Sequence, residues 1–221
     1  MTEAATFWDA EFSKGRYAES APIGFTTEIV DAARDAGIDT GLYVGCGNGR
    51  NYRALVEGGL DLVGLDISPV AIEQLAARMP DRAGRLITGD LSALPAGQVY
   101  PLVVAIQVLH HGTRAESESL FKATVDRVAP GGLLALGIET VGTDVAEDHE
   151  LLERAEDGSY TVRYLDHGAM SCYFRTVRGV HVELASHGLV EHLPLVPRTT
   201  WRTPLDRGQT LEWEGFYRRP A

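Results

Sequence analysis

The chain has 221 residues, 44% of them hydrophobic and 23% charged, the proportions of one ordinary globular domain. Its formal charge of −11 repels phosphate backbones and argues against a nucleic-acid substrate. No apolar run approaches bilayer length, the first residues lack the basic region and apolar core of a signal peptide, and Cys46 and Cys172 are too few for a disulfide framework. A cytoplasmic protein with no membrane contact is expected.

Residues 1–21 mix Phe7, Trp8, Phe12 and Tyr17 with charges and carry no clear period. A helix is predicted over Pro22–Ala36, with Phe25, Ile29 and Ala32 or Ala33 on one face and Gly37 as its stop. A first strand at about 41–45 runs into the loop Gly45-Cys46-Gly47-Asn48-Gly49, and Asn51–Glu57 carries Tyr52, Leu55 and Val56 at helical spacing. A second strand at about 61–66 ends in Asp66. Ser68 and Pro69 then read as the N-cap and first position of a helix with Ile72, Leu75, Ala76 and Met79 on one face.

A third strand, Arg85–Thr88, leads to Gly89-Asp90-Leu91, and a fourth, Leu102–Val108, is apolar enough to be covered on both faces. Thr113 and Glu116 form a capping box for the next helix, and Pro130-Gly131-Gly132 turns into a fifth strand, Leu133–Ile138. Residues 141–174 are polar and read as an insertion with a short β-ribbon. Arg175–His187 reads as a helix stopped by Gly188. Strands at about 189–196 and 210–218, separated by a proline-containing loop around Trp201, close the chain as an antiparallel hairpin. Alternating strands and helices imply a parallel sheet clad on both faces.

The glycine loop carries the chemistry. A strand, a glycine turn, a helix and a second strand ending in an acid are the parts of a nucleotide-binding unit. The spacing here is G-x-G-x-G, with Arg50 where a dinucleotide fingerprint places its third glycine. No Lys-Ser or Lys-Thr pair follows, which excludes a phosphate loop. A nucleoside ligand without a pyrophosphate fits better.

The set Val44 to Asn51, Asp66-Ile67-Ser68-Pro69, Gly89-Asp90-Leu91, Val108-Leu109-His110-His111 and Ala129-Pro130-Gly131-Gly132 resembles the class I S-adenosylmethionine-dependent methyltransferases. The start Phe7-Trp8-Asp9 and the loop through Asn51 look similar to the tellurite-resistance and thiopurine methyltransferase branch. The resemblance implies an α/β, Rossmann-like, doubly wound sheet of seven strands, mostly parallel with the antiparallel C-terminal hairpin. One domain would span 1–221, with an N-terminal lid segment 1–21 and a substrate-cap insertion 141–174. The implied reaction moves a methyl group from S-adenosyl-L-methionine to a small molecule, leaving S-adenosyl-L-homocysteine.

Residue by residue, the resemblance places Gly45, Gly47 and Gly49 under the methionine moiety and ribose, with Cys46 and Asn51 in the same loop. Asp66 would hold the ribose hydroxyls, Ile67 and Leu91 the adenine ring, and Asp90 the adenine amino group. Ala105 or Ile106 would turn a backbone carbonyl toward the methionine ammonium, and Tyr17 would fold over the cofactor. His110, His111 and Glu139 are the candidate bases or acceptor contacts. The family usually has an acid two residues before the first glycine, and this chain has Tyr43 there. His149, His167, His181, His187 and His192 lack ligand spacing, so no metal is expected. A monomer or homodimer is expected. The competing readings are a nicotinamide- or flavin-dependent oxidoreductase and a non-catalytic protein that binds S-adenosylmethionine.

Overall fold

A computed structural model of the chain describes residues 3–145, 147–165, 170–202 and 208–221. His167 and residues 203–207 lie outside them. In order the elements are α1 (Glu3–Ser13), α2 (Phe25–Asp35), β1 (Thr40–Val44), α3 (Arg50–Glu57), β2 (Asp61–Asp66), α4 (Pro69–Arg78), β3 (Leu86–Thr88) and β4 (Tyr100–Ile106). There follow α5 (Arg114–Val125), β5 (Val128–Glu139), β6 (His149–Arg154), β7 (Tyr160–Tyr164), β8 (Ser171–Phe174), α6 (Val177–Ser186), β9 (Val190–Trp201) and β10 (Gln209–Arg218).

Seven strands form one sheet in the order β3-β2-β1-β4-β5-β10-β9. The five strands from β3 to β5 are parallel, and β10 pairs antiparallel with both β5 and β9. This is the doubly wound sheet with a reversed C-terminal hairpin that the sequence implies. The sheet changes direction of winding between β1 and β4, where open α/β sheets bind ligands.

The central strands β1, β4 and β5 are apolar on both sides, and helices cover each face. Ile29 of α2, Leu55 of α3 and Leu75 of α4 pack on one face with Leu62, Val104 and Phe216. Phe121 and Val125 of α5 and Val180 and Leu184 of α6 pack on the other with Leu42, Val103 and Leu134. Ser68 Oγ accepts from the Ala71 amide and caps α4 above Pro69. The capping box of Thr113 and Glu116 is formed at α5.

Several boundaries differ from the sequence expectation. Residues 3–13 are helical, because Asp9, Phe12 and their neighbours find partners on α4 rather than through any strong period of their own. The fourth strand stops at Ile106, two residues early, since Gln107 takes φ +55 and leaves the extended region. Val128, Ala129 and the Pro130-Gly131-Gly132 turn belong to β5 itself. Trp201 ends β9 instead of sitting in a loop. Pro194 and Pro197 are tolerated there because β9 is the sheet edge. The ribbon in 141–174 is a separate three-stranded antiparallel sheet, β6-β7-β8. The last helix begins at Val177, with Thr176 as its N-cap, and Arg175 is freed for another role.

Candidate functional site

The glycine loop is tied to β2 before any ligand is considered. The Gly45 and Cys46 amides both donate to the Leu65 carbonyl, at 2.8 and 3.1 Å. Gly45 has φ +72 and Gly47 φ +54, conformations a side chain rarely adopts. A Cβ on Gly45 would also lie 2.6 Å from Val108 Cγ2. The loop therefore presses against the segment that leaves β4, and only glycine fits between them.

Asp66 closes this cradle from the end of β2. Its Oδ2 accepts from the Gly47 amide at 2.7 Å and its Oδ1 from the Ser68 amide at 2.9 Å. The carboxylate is only 8% exposed, and burial pushes its pKa up, with the two amides opposing that rise. Two acceptor sites remain on a buried carboxylate, which suits a pair of hydroxyls. Asp90 uses a single oxygen, Oδ1, to accept from the amide and hydroxyl of Ser92. Leu91 is buried beside it and Ile67 half-buried.

Most of the sequence-predicted donor residues line one large cleft: Tyr17, Gly45, Cys46, Gly47, Asn51, Asp66, Ile67, Asp90, Leu91 and Ile106. Gly49 and Ala105 do not. Gly49, at φ +97, is the N-cap of α3 and lets that helix approach Leu75 of α4. Ala105 points into the opposite core and is fully buried. Cys46 packs over Gly64, and burial raises its thiol well above the ordinary range, with Asp66 adding to the rise. Asn51 accepts from the Ile23 amide at 3.1 Å and donates to the Tyr43 hydroxyl at 3.3 Å.

Helix α1 crosses above the loop. Asp9 accepts from the Ser68 hydroxyl and from the Val70 amide at the start of α4. Gln74 donates to the Phe12 carbonyl, and Asn48 donates to the Arg16 carbonyl. The Tyr17 ring, at φ +61, lies between the guanidinium groups of Arg16 and Arg50, 5.0 and 4.7 Å away.

Two groups at the end of β4 were not singled out from sequence. Arg50 donates to Gln107 Oε1 at 2.6 Å, and Gln107 Nε2 donates to Glu212 Oε2 at 2.7 Å. Gln107 and Glu212 both line the cleft. Glu212 comes from β10, 105 residues after Gln107. No local pattern could have found it, although an acid in a mostly buried strand is a signal in itself.

The far wall is built by the three-stranded sheet. The Tyr173 amide donates to the His110 carbonyl and the Gly112 amide to the Ser171 carbonyl, both at 2.8 Å, so β8 is stitched to the loop after β4. His111 Nδ1 lies 3.6 Å from Cys172 Sγ, and the Trp8 ring edge meets His111 at a centroid distance of 5.0 Å. His110, 3% exposed, has no hydrogen-bond partner for Nδ1 among the described residues. Burial pulls its pKa down to about 3, with Arg175 adding to the effect, and burial with His110 pulls His111 down too. Glu139 moves the other way, since burial and Glu147 raise it against Arg202 and Arg16.

Sequence spacing offered no metal set, but the fold brings ligand atoms of His110, His111 and Cys172 within 4.8 Å of one another. These are donors of the kind zinc takes. The Arg175 guanidinium beside His110 opposes a cation there. His149, His181, His187 and His192 join no such group among the described residues.

The cleft holds about 1980 Å³. That exceeds the roughly 300–1,000 Å³ of a single-ligand pocket, so a nucleoside-sized donor leaves room for a second organic molecule. No described helix is long and apolar enough to cross a membrane.

Residues 42–134 match the family described as methyltransferase domain. No curated protein is significantly similar to the chain in sequence. Among solved structures, a 1,6-didemethyltoxoflavin-N1-methyltransferase of Burkholderia thailandensis, with 1,6-didemethyltoxoflavin and S-adenosylhomocysteine bound, is 14% identical with TM-score 0.68. The match covers 99% of this chain and 88% of that one. CalS10 of Micromonospora echinaspora, an amino pentose methyltransferase solved with S-adenosylmethionine, is 19% identical with TM-score 0.62, covering 95% and 96%. The CcbJ methyltransferase of Streptomyces caelestis is 17% identical with TM-score 0.64, covering each chain in full. These likenesses are to the fold.

Proposed function

We infer that this chain, whose residues 42–134 are a methyltransferase domain within a class I sheet, transfers a methyl group from S-adenosylmethionine to a small organic acceptor. The observation that carries the reading is the single cleft that joins the Asp66 cradle to the wall of His111, Glu139 and Cys172. S-adenosylmethionine supplies a methyl already activated on a sulfonium. The protein's part is then to hold two molecules in line and keep water out, an effect that can supply much of the rate.

In this reading Gly45, Cys46 and Gly47 run beneath the donor, with Asn51 bracing the loop and Tyr17 above it. Asp66 accepts from the ribose hydroxyls, Ile67 and Leu91 flank the adenine, Asp90 accepts from its amino group through the free Oδ2, and Ile106 presents its carbonyl. Gly49 and Ala105 are withdrawn from contact and act through packing. Helix α1 serves as the lid, and β6-β7-β8 as a cap over the acceptor, both parts of one domain. The acceptor end is the place for His111, Glu139 and Cys172.

Calorimetry tests the donor. S-adenosylhomocysteine is expected to bind and NAD is not; the reverse result would favour an oxidoreductase and end the methyltransferase reading. A protein that binds the donor and turns over no acceptor would be a binding protein.

Proton transfer is assigned to Glu139. A base works best with a pKa near the operating pH. Glu139 is raised toward that range, whereas His110 is held neutral down to about 3. The activity of an identified acceptor is expected to rise with pH above the ordinary carboxylate range and to show no limb from His110 near 6.5. Glu139→Gln is expected to lower kcat at least tenfold and leave S-adenosylhomocysteine affinity within twofold. A limb near 6.5 that vanishes in His110→Asn would transfer the role to His110.

A further inference from the structure

Glu212 is 7% exposed, and its Oε1 has no hydrogen-bond partner among the described residues. An unpaired buried carboxylate oxygen is costly unless something charged or protic completes it. The side chain lies flat across β5 because residue 137 is glycine: a Cβ there would sit 2.5 Å from Oε1. Its other oxygen is held by Gln107, and Gln107 is held in turn by Arg50 and by its own amide, which donates to the Gly137 carbonyl at 2.8 Å. Gln107 also takes a left-handed backbone with φ +55, a strained state of the kind kept at ligand sites. The carboxylate is thus braced and left half-satisfied beside the C-terminal end of β4.

The charge around it says what is missing. Burial, with Glu214 and Glu139 facing it from β10 and β5, pushes the Glu212 carboxyl up to about 8 against the pull of Gln107 and Arg50. Glu214 is neutralised by Arg198 at 3.0 Å, and Tyr43 of β1 is already bonded by Asn51. A cation that donates N–H bonds is the ligand that would satisfy Oε1 and stabilise the ionised form. Tyr43 occupies the position before the glycine loop where the sequence lacks an acid.

We propose that Glu212 Oε1 accepts a hydrogen bond from the α-ammonium of the methyl donor's methionine moiety, so that an acid from β10 stands in for the one absent at the end of β1. The assignment rests on the donor being S-adenosylmethionine. Gln107 is a positioning residue: it holds Oε2 and leaves Oε1 as the unpaired oxygen.

The test is calorimetry on the full chain with three probes. They are S-adenosylhomocysteine, its deaminated analogue with hydrogen in place of the ammonium, and 5′-methylthioadenosine, which lacks the amino-acid end. Glu212→Gln is nearly isosteric and keeps an acceptor for Gln107. It is expected to weaken S-adenosylhomocysteine at least tenfold and leave the other two within twofold of wild type. Glu214→Gln, a control whose carboxylate already has Arg198, is expected to change none of them. Cooperative thermal unfolding of both variants confirms that each is folded. Unchanged S-adenosylhomocysteine affinity in Glu212→Gln, or an equal loss for the deaminated analogue, overturns the assignment and leaves the donor reading standing. The first of these outcomes with a lowered kcat would move the carboxylate to the acceptor. Wild-type protein that binds none of the three overturns the donor reading and this assignment together.

Discussion

Asp66→Ala is expected to weaken S-adenosylhomocysteine binding by a hundredfold or more, measured by calorimetry. The carboxylate has two tasks, and alanine removes both. It holds the glycine loop through the Gly47 amide and the start of α4 through the Ser68 amide. In the proposed function its remaining lone pairs also serve the ribose hydroxyls. A hydrogen bond to a charged group contributes roughly 1.5–3 kcal/mol, and two amides left buried without an acceptor cost more. A total near 3 kcal/mol is about a hundredfold in affinity. Asp66→Asn separates the tasks, since its one oxygen can serve a single amide and its NH2 repels the other. It is expected to fall between alanine and wild type. Affinity unchanged in Asp66→Ala would remove this residue from the site.

Arg175→Met is expected to destabilise the fold by about 3–5 kcal/mol, the cost of leaving one partner of a buried ion pair alone. The Arg175 side chain is 1% exposed, between the rings of Phe121 and Tyr173 at 4.9 and 4.7 Å. Its Nε and NH2 donate to the two oxygens of Glu183 on α6, and its NH1 donates to the Leu109 carbonyl and to Ser117 on α5. One side chain at the end of β8 therefore joins the cap sheet, two helices and the loop carrying His110. Denaturant unfolding would measure the loss. Arg175→Lys is expected to recover little of it, because an ammonium cannot copy the planar fork. A loss under about 1 kcal/mol for Arg175→Met would show that the network is worth no more than a surface pair.

The sheet was legible because its signals are local. Each of β1 to β5 is a short apolar run, and each helix between them carries its own stop or cap, as with Ser68, Pro69 and the Thr113–Glu116 box. Helix α1 was not legible, since its order comes from Asp9 and Phe12 meeting α4 about sixty residues away. The start of α6 was misread for a similar reason: Arg175 resembles an ordinary helix residue until Glu183, Leu109 and Ser117 surround it.

The glycine-loop cradle followed the same rule. Gly45 and Gly47 follow β1, Asp66 ends β2 and Asp90 follows β3, so order along the chain becomes position in the cleft. Gly49 and Ala105 share those stretches but face the packing side, a matter of one residue's rotation that spacing does not register. The sequence by itself determined the succession of strands and helices in a doubly wound sheet, its glycine loop and the two acids at the end of β2 and after β3. Tertiary structure alone decided what completes the site. It set Glu212 beside Gln107, Cys172 beside His111 and Trp8 against His111, because β10, the three-stranded sheet and α1 reach the cleft only when distant segments pack. The same packing, by excluding water, separates the neutral histidines from the raised carboxyls of Glu139 and Glu212.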